Sequence, residues 1–424
     1  MKVIVMGAGI IGISTAWFLV NEGHEVIVLD RQPGAALETS FANGAQISVS
    51  FCEPWANTRA PFKILKWLLR DDAPLLFRPH WDVHQWRWGL QFLLQCHGRA
   101  FERNVAQLVA LGQYSHSVHK DLVSQTGIHF DRLERGILHF FSTPQALKAG
   151  KDAAAIMARH GVFRQVLSTD QVVHLEPALK SFAERISGGI FTPSDESGDA
   201  RVFTQALAAL CEQRGAVFEY GREILRLNAH SGRLVSIETR DPLTGRCSPL
   251  MADVFVAALG SYTAPLLRPL GINLDIYPAK GYSATLRLLE PDRANVISMI
   301  DDERKIAISR LGGHIRIAGT AEMAGFDTSL DKPTSRVRCA ALVQRFEEIF
   351  PGVADTSQPH FWAGLRPSTP SNIPYIGRTV IDKLWVNAGH GTLGWTHGAG
   401  SGRAIAELIS GRRPELDFRF YGAL

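Results

Sequence analysis

The chain has 424 residues, 46% of them hydrophobic and 20% charged, and its formal net charge at pH 7 is +4. This length suits two domains, or one large domain with insertions, and the composition is typical of globular proteins. The 45 basic residues are spread along the sequence, which argues against a protein that binds nucleic acid. No uninterrupted apolar run reaches the roughly 20 residues needed to cross a bilayer, so membrane contact is expected to be peripheral only.

The cysteines and the first residues bear on the compartment. Five cysteines stand far apart without a CxxC pair, a pattern that predicts reduced thiols, no disulfide framework and no metal site. The apolar stretch from Lys2 to Val20 is interrupted by three glycines and lacks a small-residue cleavage site. We therefore expect it to belong to the folded protein and not to a signal peptide, and we expect a cytoplasmic location.

The first thirty residues carry a βαβ pattern. The β-branched run Lys2–Met6 precedes GAGIIG at 7–12, an apolar helical segment reaches about Val20, and a second strand, Glu25–Asp30, follows a turn. A GxGxxG motif between two strands predicts a dinucleotide-binding turn, and it does not distinguish FAD from NAD.

Each residue of this turn has an expected role. Gly7 allows the tight turn, Gly9 lets a pyrophosphate approach the backbone, and Gly12 lets the helix pack closely on the strand. The helix starts at Ile10 and Ile11, where its N-terminus offers N–H groups and a partial positive charge to the phosphates.

Asp30 and the polar loop after it extend this candidate cofactor site. Asp30 ends the second strand, where its carboxylate is placed to accept hydrogen bonds from a ribose hydroxyl. The loop at 31–48 reads RQPGAALETSFANGAQIS, and its candidate cofactor contacts are Arg31, Thr39, Ser40, Asn43, Gly44 and Gln46. Such a loop suits the grip on an extended dinucleotide beyond its pyrophosphate, and an ordinary polar loop is the alternative.

Five motifs follow one another along the chain: GAGIIG (7–12), DRQPGAALETSFANGAQIS (30–48), KGYSATL (280–286), FWAGLRPSTP (361–370) and LWVNAGHGTLGWTHGAGSG (384–402). In this order they resemble the small, flavin-carrying subunits of bacterial D-amino acid dehydrogenases, within the D-amino acid oxidase and glycine oxidase superfamily. The resemblance covers essentially the whole chain, and the last three motifs are its most specific part.

The resemblance implies an α/β protein, α+β overall, with the glutathione-reductase-like architecture of D-amino acid oxidases. A Rossmann-like FAD-binding domain is expected from 1–52, 190–275 and 365–424. A substrate domain with an antiparallel sheet is expected from 53–189 and 276–364. FAD is expected to bind non-covalently, since no cysteine stands where relatives attach it.

The resemblance also assigns further flavin contacts. Ile224 is expected to make a backbone contact with adenine, and Gly260 and Ser261 resemble a turn beside the dinucleotide. The residues before the last helix are expected near N1 and the C2 carbonyl of the flavin, where a helix N-terminus stabilises negative charge. They are Gly389, Gly391, Thr392, Leu393 and Gly394.

The same helix carries Gly398, Gly400 and Gly402, which are expected to let it pack closely beside the dinucleotide.

Arg366, in GLRP, matches the arginine that clamps the substrate carboxylate in relatives, and a guanidinium suits that planar, bidentate task. The motif departs from its relatives at Ser371 and Asn372, where an acid and a glycine are common. The departure leaves the clamp intact and changes the turn after it.

Three further residues are substrate-site candidates. Tyr282 is expected to close the carboxylate site or cover the substrate, and Lys280 to hold a water near flavin N5; plain strand roles are the alternative for both. His390 is a candidate contact for the flavin edge or the substrate amine, with a passive place in the glycine loop as the alternative. Trp362 is interpreted as a packing residue.

The implied reaction is oxidative deamination of a D-amino acid to a 2-oxo acid and ammonia, by hydride transfer from Cα to flavin N5. The electrons are expected to pass to a quinone or another carrier. Such a step needs a well-positioned substrate and electrostatic stabilisation, and no side chain has to remove the α-proton. We therefore expect no catalytic triad. Open alternatives are an oxygen-using oxidase, an enzyme for a cyclic substrate such as D-proline or D-hydroxyproline, and a non-catalytic flavin-binding module.

An aromatic-rich segment at 53–100 bears on partners. It contains PFKILKWLLR and HWDVHQWRWGLQFLLQ, in which basic residues stand between aromatic ones. Helices packed over the substrate domain are one interpretation, and an amphipathic surface on the inner face of the inner membrane is the other. The sequence specifies no oligomeric state.

Overall fold

The computed structural model describes residues 1–62 and 75–422. The α-helices are α1 (Ile10–Asn21), α2 (Val83–Gln95), α3 (Gly98–Thr126), α4 (Pro144–Ala158), α5 (Thr169–Leu175), α6 (Ala200–Gln213), α7 (Thr263–Leu267), α8 (Pro333–Ile349) and α9 (Gly394–Ile409). The strands are β1 (Lys2–Met6), β2 (Glu25–Asp30), β3 (Gln46–Ile47), β4 (Leu75–Phe77), β5 (Ile137–Phe141), β6 (Gln165–Leu167), β7 (Gly188–Thr192), β8 (Glu196–Ser197), β9 (Val217–Tyr220), β10 (Glu223–His230), β11 (Arg233–Arg240), β12 (Cys247–Leu250), β13 (Val254–Ala257), β14 (Tyr277–Arg287), β15 (Ser298–Asp301), β16 (Ile306–Leu311), β17 (His314–Met323), β18 (His360–Ser368), β19 (Tyr375–Arg378) and β20 (Leu384–Ala388).

A six-stranded sheet holds the N-terminal βαβ unit. Its order is β19-β20-β13-β1-β2-β9, and its pairs are parallel except β19 with β20. Alternate residues of β1 enter different cores: Val3 and Val5 pack with α1, α6 and α9, while Ile4 and Met6 pack toward β10–β12 and α7. Burial of both faces explains why β1 and β2 are nearly continuous apolar runs.

Helix α9 lies against α1 and α3, and its glycines make that contact. A Cβ on Gly402 would lie 2.6 Å from the backbone carbon of Ser14 in α1, and one on Gly400 would lie 2.6 Å from Cα of Ser115 in α3. Gly398 would meet the Ile10 side chain at 2.9 Å. These glycines therefore serve the close packing of α9 on α1 and α3, and none of the three lines the cavity described below.

The second large sheet has nine strands, in the order β18-β14-β17-β16-β15-β5-β7-β6, with β4 paired to β17. Its pairs are antiparallel except β15 with β5 and β17 with β4. Helix α8 packs against one face, where Leu342 and Phe346 join a core with side chains of β14, β16 and β17. The other face of β14, β17 and β18 lines a cavity that is described below.

Elements predicted from the sequence agree with the structure. The strands at Lys2–Met6 and Glu25–Asp30 have the predicted bounds. Strands of the six-stranded sheet all fall within 1–52, 190–275 and 365–424, while β7 and β18 each cross a predicted domain boundary. The division into domains stays a prediction.

The aromatic segment is only partly described. HWDVHQWRWGLQFLLQ forms α2 and the turn before it, whereas most of PFKILKWLLR lies outside the described residues. Within the described ranges, no helix combines the length and the apolar character required to cross a membrane.

A buried histidine couples this fold to pH. His119 of α3 packs against the rings of Phe130, Phe203 and Trp395, with centroids 5.0–5.7 Å away, and its Nε2 has no hydrogen-bond partner. Burial lowers the pKa of His119 to about 3. Because the unfolded chain takes up this proton near pH 6.5, the contribution of neutral His119 to stability is complete above pH 6.5 and is lost as the pH falls toward 3.

We expect His119→Phe to reduce the acid dependence of stability. Between pH 6.5 and 5 the variant should lose about 2 kcal/mol less unfolding free energy than the unmodified protein, because phenylalanine binds no proton. Urea denaturation at both pH values measures this difference. His129→Phe, at an exposed position, should leave the acid dependence unchanged, and an equal acid dependence in the His119 variant would contradict the assignment.

Candidate active site

A cavity of about 710 Å³ joins the glycine turn after β1 to the exposed face of β14, β17 and β18. The predicted cofactor residues that line it are Gly7, Gly9, Ile10, Ile11, Asp30, Arg31, Thr39, Ser40, Asn43, Gly44, Gln46, Ile224, Gly260, Gly391, Thr392, Leu393 and Gly394. Three predicted residues, Gly12, Ser261 and Gly389, are not among its lining residues. The chain therefore brings most of the predicted cofactor residues to one cavity.

The glycine turn is built as its motif predicts. A Cβ on Gly12 would lie 1.8 Å from the carbonyl oxygen of Gly7, so only glycine allows α1 to start so close to β1. The Ile10 N–H donates to Ser40 Oγ at 3.1 Å. The Ser40 hydroxyl therefore stands at the start of α1, beside the N–H groups predicted to bind a phosphate.

Asp30 is held beside this turn. Its carboxylate accepts hydrogen bonds from the N–H of Ala8 at 2.7 Å and of Gln32 at 2.8 Å. Burial raises the pKa of Asp30, while these two bonds act in the opposite direction. The carboxylate thus fixes the turn and still lines the cavity, where an oxygen lone pair can accept a further hydrogen bond.

The polar loop at 31–48 is tied to the rest of the protein. Thr39 Oγ1 donates to the Leu365 carbonyl at 3.0 Å, and Gln46 Nε2 donates to Ser298 Oγ at 2.9 Å. Asn43 Oδ1 accepts from the Ala45 N–H at 3.0 Å. These bonds fasten the loop to the large sheet and orient its backbone along the cavity.

The start of α9 closes another part of the cavity. A 3₁₀ turn, Gly391–Leu393, leads into α9 at Gly394. His390 stands before it, 2% exposed, and neither ring nitrogen has a hydrogen-bond partner. Burial holds the pKa of His390 well below its usual range, so the imidazole is neutral at pH 7.

This lining fits an extended dinucleotide. The turn and the N-terminus of α1 suit phosphates, Asp30 suits a ribose, and the unpartnered His390 nitrogens together with the N-terminus of α9 suit the polar edge of a flat ring system. No group of three metal-ligating side chains stands together in residues 1–62 and 75–422.

Arg366 faces the same cavity from β18. In the register of β18 with β14 it stands opposite Ala279, and its guanidinium lies over the neighbouring Gly281. Its Nη1 donates to the Thr320 carbonyl at 2.8 Å. Burial lowers the pKa of Arg366 to about 10, so the group remains a cation at neutral pH.

Lys280 and Tyr282 point their polar groups to the other face of the sheet. Lys280 Nζ donates to the Ser329 carbonyl at 2.6 Å, and Tyr282 Oη donates to Glu322 at 2.5 Å. Both groups also contact Ser335 Oγ of α8. Their ε-amino and hydroxyl groups are therefore not brought to Arg366, although part of Tyr282 borders the cavity.

The sequence interpretation missed some lining residues. Trp362, interpreted as packing, borders the cavity and stacks on Phe41 with ring centroids 6.3 Å apart. Thr320 and Phe92 also line the cavity. In the sequence, alternation along FWAGLR would have placed Trp362 on the same face as Arg366, whereas nothing local marks Thr320 or Phe92.

Comparisons with known proteins agree with this geometry. The model of the family DAO, FAD dependent oxidoreductase, matches residues 2–408. A D-amino acid dehydrogenase of Dechloromonas aromatica is 47% identical over 420 residues, which cover 99% of this chain and 99% of that protein.

Two solved structures share the fold. L-proline dehydrogenase from P. horikoshii has a TM-score of 0.74 at 17% identity, covering 98% of this chain and 95% of its own. Glycine oxidase from Bacillus cereus has a TM-score of 0.73 at 21% identity, covering 99% and 98%. The predicted fold class and the predicted FAD cofactor are confirmed, and the chain belongs to the DAO family of FAD dependent oxidoreductases.

Proposed function

We propose that this protein is an FAD-dependent D-amino acid dehydrogenase that converts D-amino acids into 2-oxo acids and ammonia. The observation that carries the proposal is the charged guanidinium of Arg366, which faces the same cavity as the dinucleotide turn. The relative named D-amino acid dehydrogenase supports the substrate class, since it aligns with nearly the whole chain.

Arg366 binds the α-carboxylate of the substrate in this proposal. A guanidinium offers parallel N–H donors that match the two oxygens of a carboxylate. The enclosed position strengthens the pairing, because opposite charges attract more strongly where water is excluded. The clamp fixes the position of Cα, which is the atom that reacts.

FAD, when bound, supplies the acceptor for the hydride that leaves Cα. The substrate amine is uncharged in that step, and water then hydrolyses the imine to a 2-oxo acid and ammonia. No side chain has to remove the α-proton, so the residues of this chain act by holding the substrate and by excluding water.

For the cofactor, the predicted residues that line the cavity are proposed to hold FAD. The N-terminus of α9 would stabilise negative charge on the flavin. His390 is neutral and unpartnered, so it is proposed to exchange a hydrogen bond with the flavin edge or the substrate amine without placing a second cation near Arg366. FAD is proposed to remain non-covalent.

We also propose that a quinone or another carrier takes the electrons and that the protein docks on an anionic membrane surface. The α2 patch, an exposed apolar face, supports docking; it consists of Trp81, Val83, Trp86, Leu90, Leu93 and Leu94. Exposed Arg87, Arg99 and Arg103 lie in and just after α2, and such an arrangement favours anionic lipid headgroups. On the inner side of α2, Phe92 lines the cavity.

Anaerobic titration of the purified flavoprotein tests the function. We expect D-amino acids to bleach the flavin absorbance and their L-enantiomers to leave it unchanged, because the clamp and the flavin fix the orientation of Cα, and only one enantiomer then turns its single Cα hydrogen toward N5. Bleaching by the L-forms alone would refute the stereochemical claim. Absence of bleaching by any amine would favour a non-catalytic flavin module, and rapid reoxidation by air would favour an oxidase.

Arg366→Lys should raise the KM for D-amino acids roughly 10- to 100-fold while FAD stays bound, because lysine cannot form the planar pair of charged hydrogen bonds, worth about 1.5–3 kcal/mol. Steady-state kinetics with the FAD content of each preparation measures this. Arg287→Lys is the control, because Arg287 is the exposed last residue of β14. Its KM should equal that of the unmodified enzyme. Unchanged kinetics in the Arg366 variant would remove this residue from the site.

The α2 patch predicts binding to lipid vesicles. Co-sedimentation with phosphatidylglycerol vesicles should fall roughly tenfold or more in Leu90→Glu/Leu94→Glu, because two apolar anchors become anionic. Leu243→Glu/Val380→Glu removes exposed apolar side chains outside α2 and should bind as the unmodified protein does. Equal binding by both double variants would contradict docking through α2.

A further inference from the structure

The guanidinium of Arg366 rests on a part of the sheet that has no side chains. Gly281 of β14 and Gly364 of β18 are directly paired. A Cβ on Gly281 would lie 2.3 Å from Cζ of Arg366, whereas a Cβ on Gly364 would lie 2.0 Å from the ring of Trp362. Neither glycine has a left-handed backbone conformation, so space, not backbone freedom, is what each position requires.

Thr320 holds the other side of the guanidinium. The register of β14 with β17 shifts between the pairs Tyr282 with Gly319 and Lys280 with Glu322. Thr320 lies in this bulge with φ of 57°, a conformation that is rare for a β-branched residue and is found where surrounding structure enforces it. The bulge turns the Thr320 carbonyl to accept the hydrogen bond from Arg366 Nη1.

The opposite face of the sheet fixes this bulge. Tyr282 Oη donates to Glu322, so a side-chain bond joins β14 to β17 just across the bulge. Lys280 Nζ donates to Ser335 Oγ of α8 at 3.2 Å. Lys280 and Tyr282 flank Gly281 in β14, and they hold the strand pair from behind while Gly281 stays bare toward the cavity.

We infer that Gly281 and Thr320 are positioning residues for substrate binding: together they form a seat that orients the Arg366 guanidinium toward the α-carboxylate. The inference rests on the proposed role of Arg366 as the carboxylate clamp. The bond to Thr320 uses one N–H of Nη1 and leaves Nε and Nη2, which are parallel donors, for the two carboxylate oxygens. Lys280 and Tyr282 then act through this seat and not by touching the substrate.

Propionate binding to the holoenzyme tests the seat, since propionate carries the carboxylate of a small substrate without its amine. The change in flavin absorbance gives its Kd. Gly281→Ala should raise this Kd at least tenfold, as Arg366→Lys does, because the new methyl group occupies the place of the guanidinium. Gly313→Ala, between β16 and β17 and outside the cavity, is the matched control: its methyl group meets no atom within 4 Å, and the Kd should change less than twofold.

Thr320→Gly separates the backbone of Thr320 from its side chain. Glycine adopts a left-handed φ readily and keeps the carbonyl, so the Kd for propionate should change less than twofold. A tenfold rise would overturn the backbone role assigned to Thr320.

Double variants test whether Gly281 acts through Arg366. In the Arg366→Lys background, Gly281→Ala should add little further loss of propionate binding. In the Arg366→Ala background, Gly281→Ala should cost less thermal stability than it does alone. If Gly281→Ala alone yields no folded protein, adding Arg366→Ala should restore folding. Full additivity in either measurement would overturn the inference.

These outcomes are distinct from a failure of the proposed function. If Arg366→Lys binds propionate as the unmodified enzyme does, the clamp itself is wrong. If Arg366→Lys weakens binding and Gly281→Ala does not, only the seat is wrong.

Discussion

The pairing of β14 with a strand on each of its edges is the constraint on which the candidate site depends. On one edge β18 brings Arg366, and on the other β17 brings Thr320. Backbone hydrogen bonds on both edges hold β14 in place, so the two neighbours meet over Gly281. A slip of β18 by one residue would turn Arg366 to the face covered by α8, away from the cavity.

One face of β14 borders the cavity, and the other face packs against α8. Toward the cavity, Ala279 and Gly281 are small or bare, which leaves room for side chains from the neighbouring strands. Toward α8, Lys280 and Tyr282 bury their polar groups in hydrogen bonds that satisfy them. Buried polar groups need such partners, and here the partners also join the strands that shape the site.

Local signals made much of the fold and the cofactor site predictable. The turn at Gly7–Gly12, the strand ending in Asp30 and the predicted clamp residue Arg366 each belong to a sequence motif, and the structure brings Gly7, Asp30 and Arg366 to one cavity. Thr320 and Phe92 are different, because a bulge and a distant helix place them. The polar side chains of KGYSATL suggested Lys280 and Tyr282 as substrate-site residues. Because side chains alternate along a strand, these two lie on the opposite face of the sheet from Gly281.

The charge balance of the cavity explains how the proposed enzyme would distinguish a substrate with an α-carboxylate from an amine that lacks one. Among the described residues Arg366 donates to the neutral Thr320 carbonyl, and burial accounts for its lowered pKa without a contribution from a neighbouring carboxylate. A half-buried cation without a counterion is costly. A substrate carboxylate removes that cost, while an amine without a carboxylate leaves it in place and pays for its own desolvation as well. Because His390 is neutral, it adds no second charge beside the guanidinium, so in the proposed reaction the orientation of Arg366 sets where Cα lies.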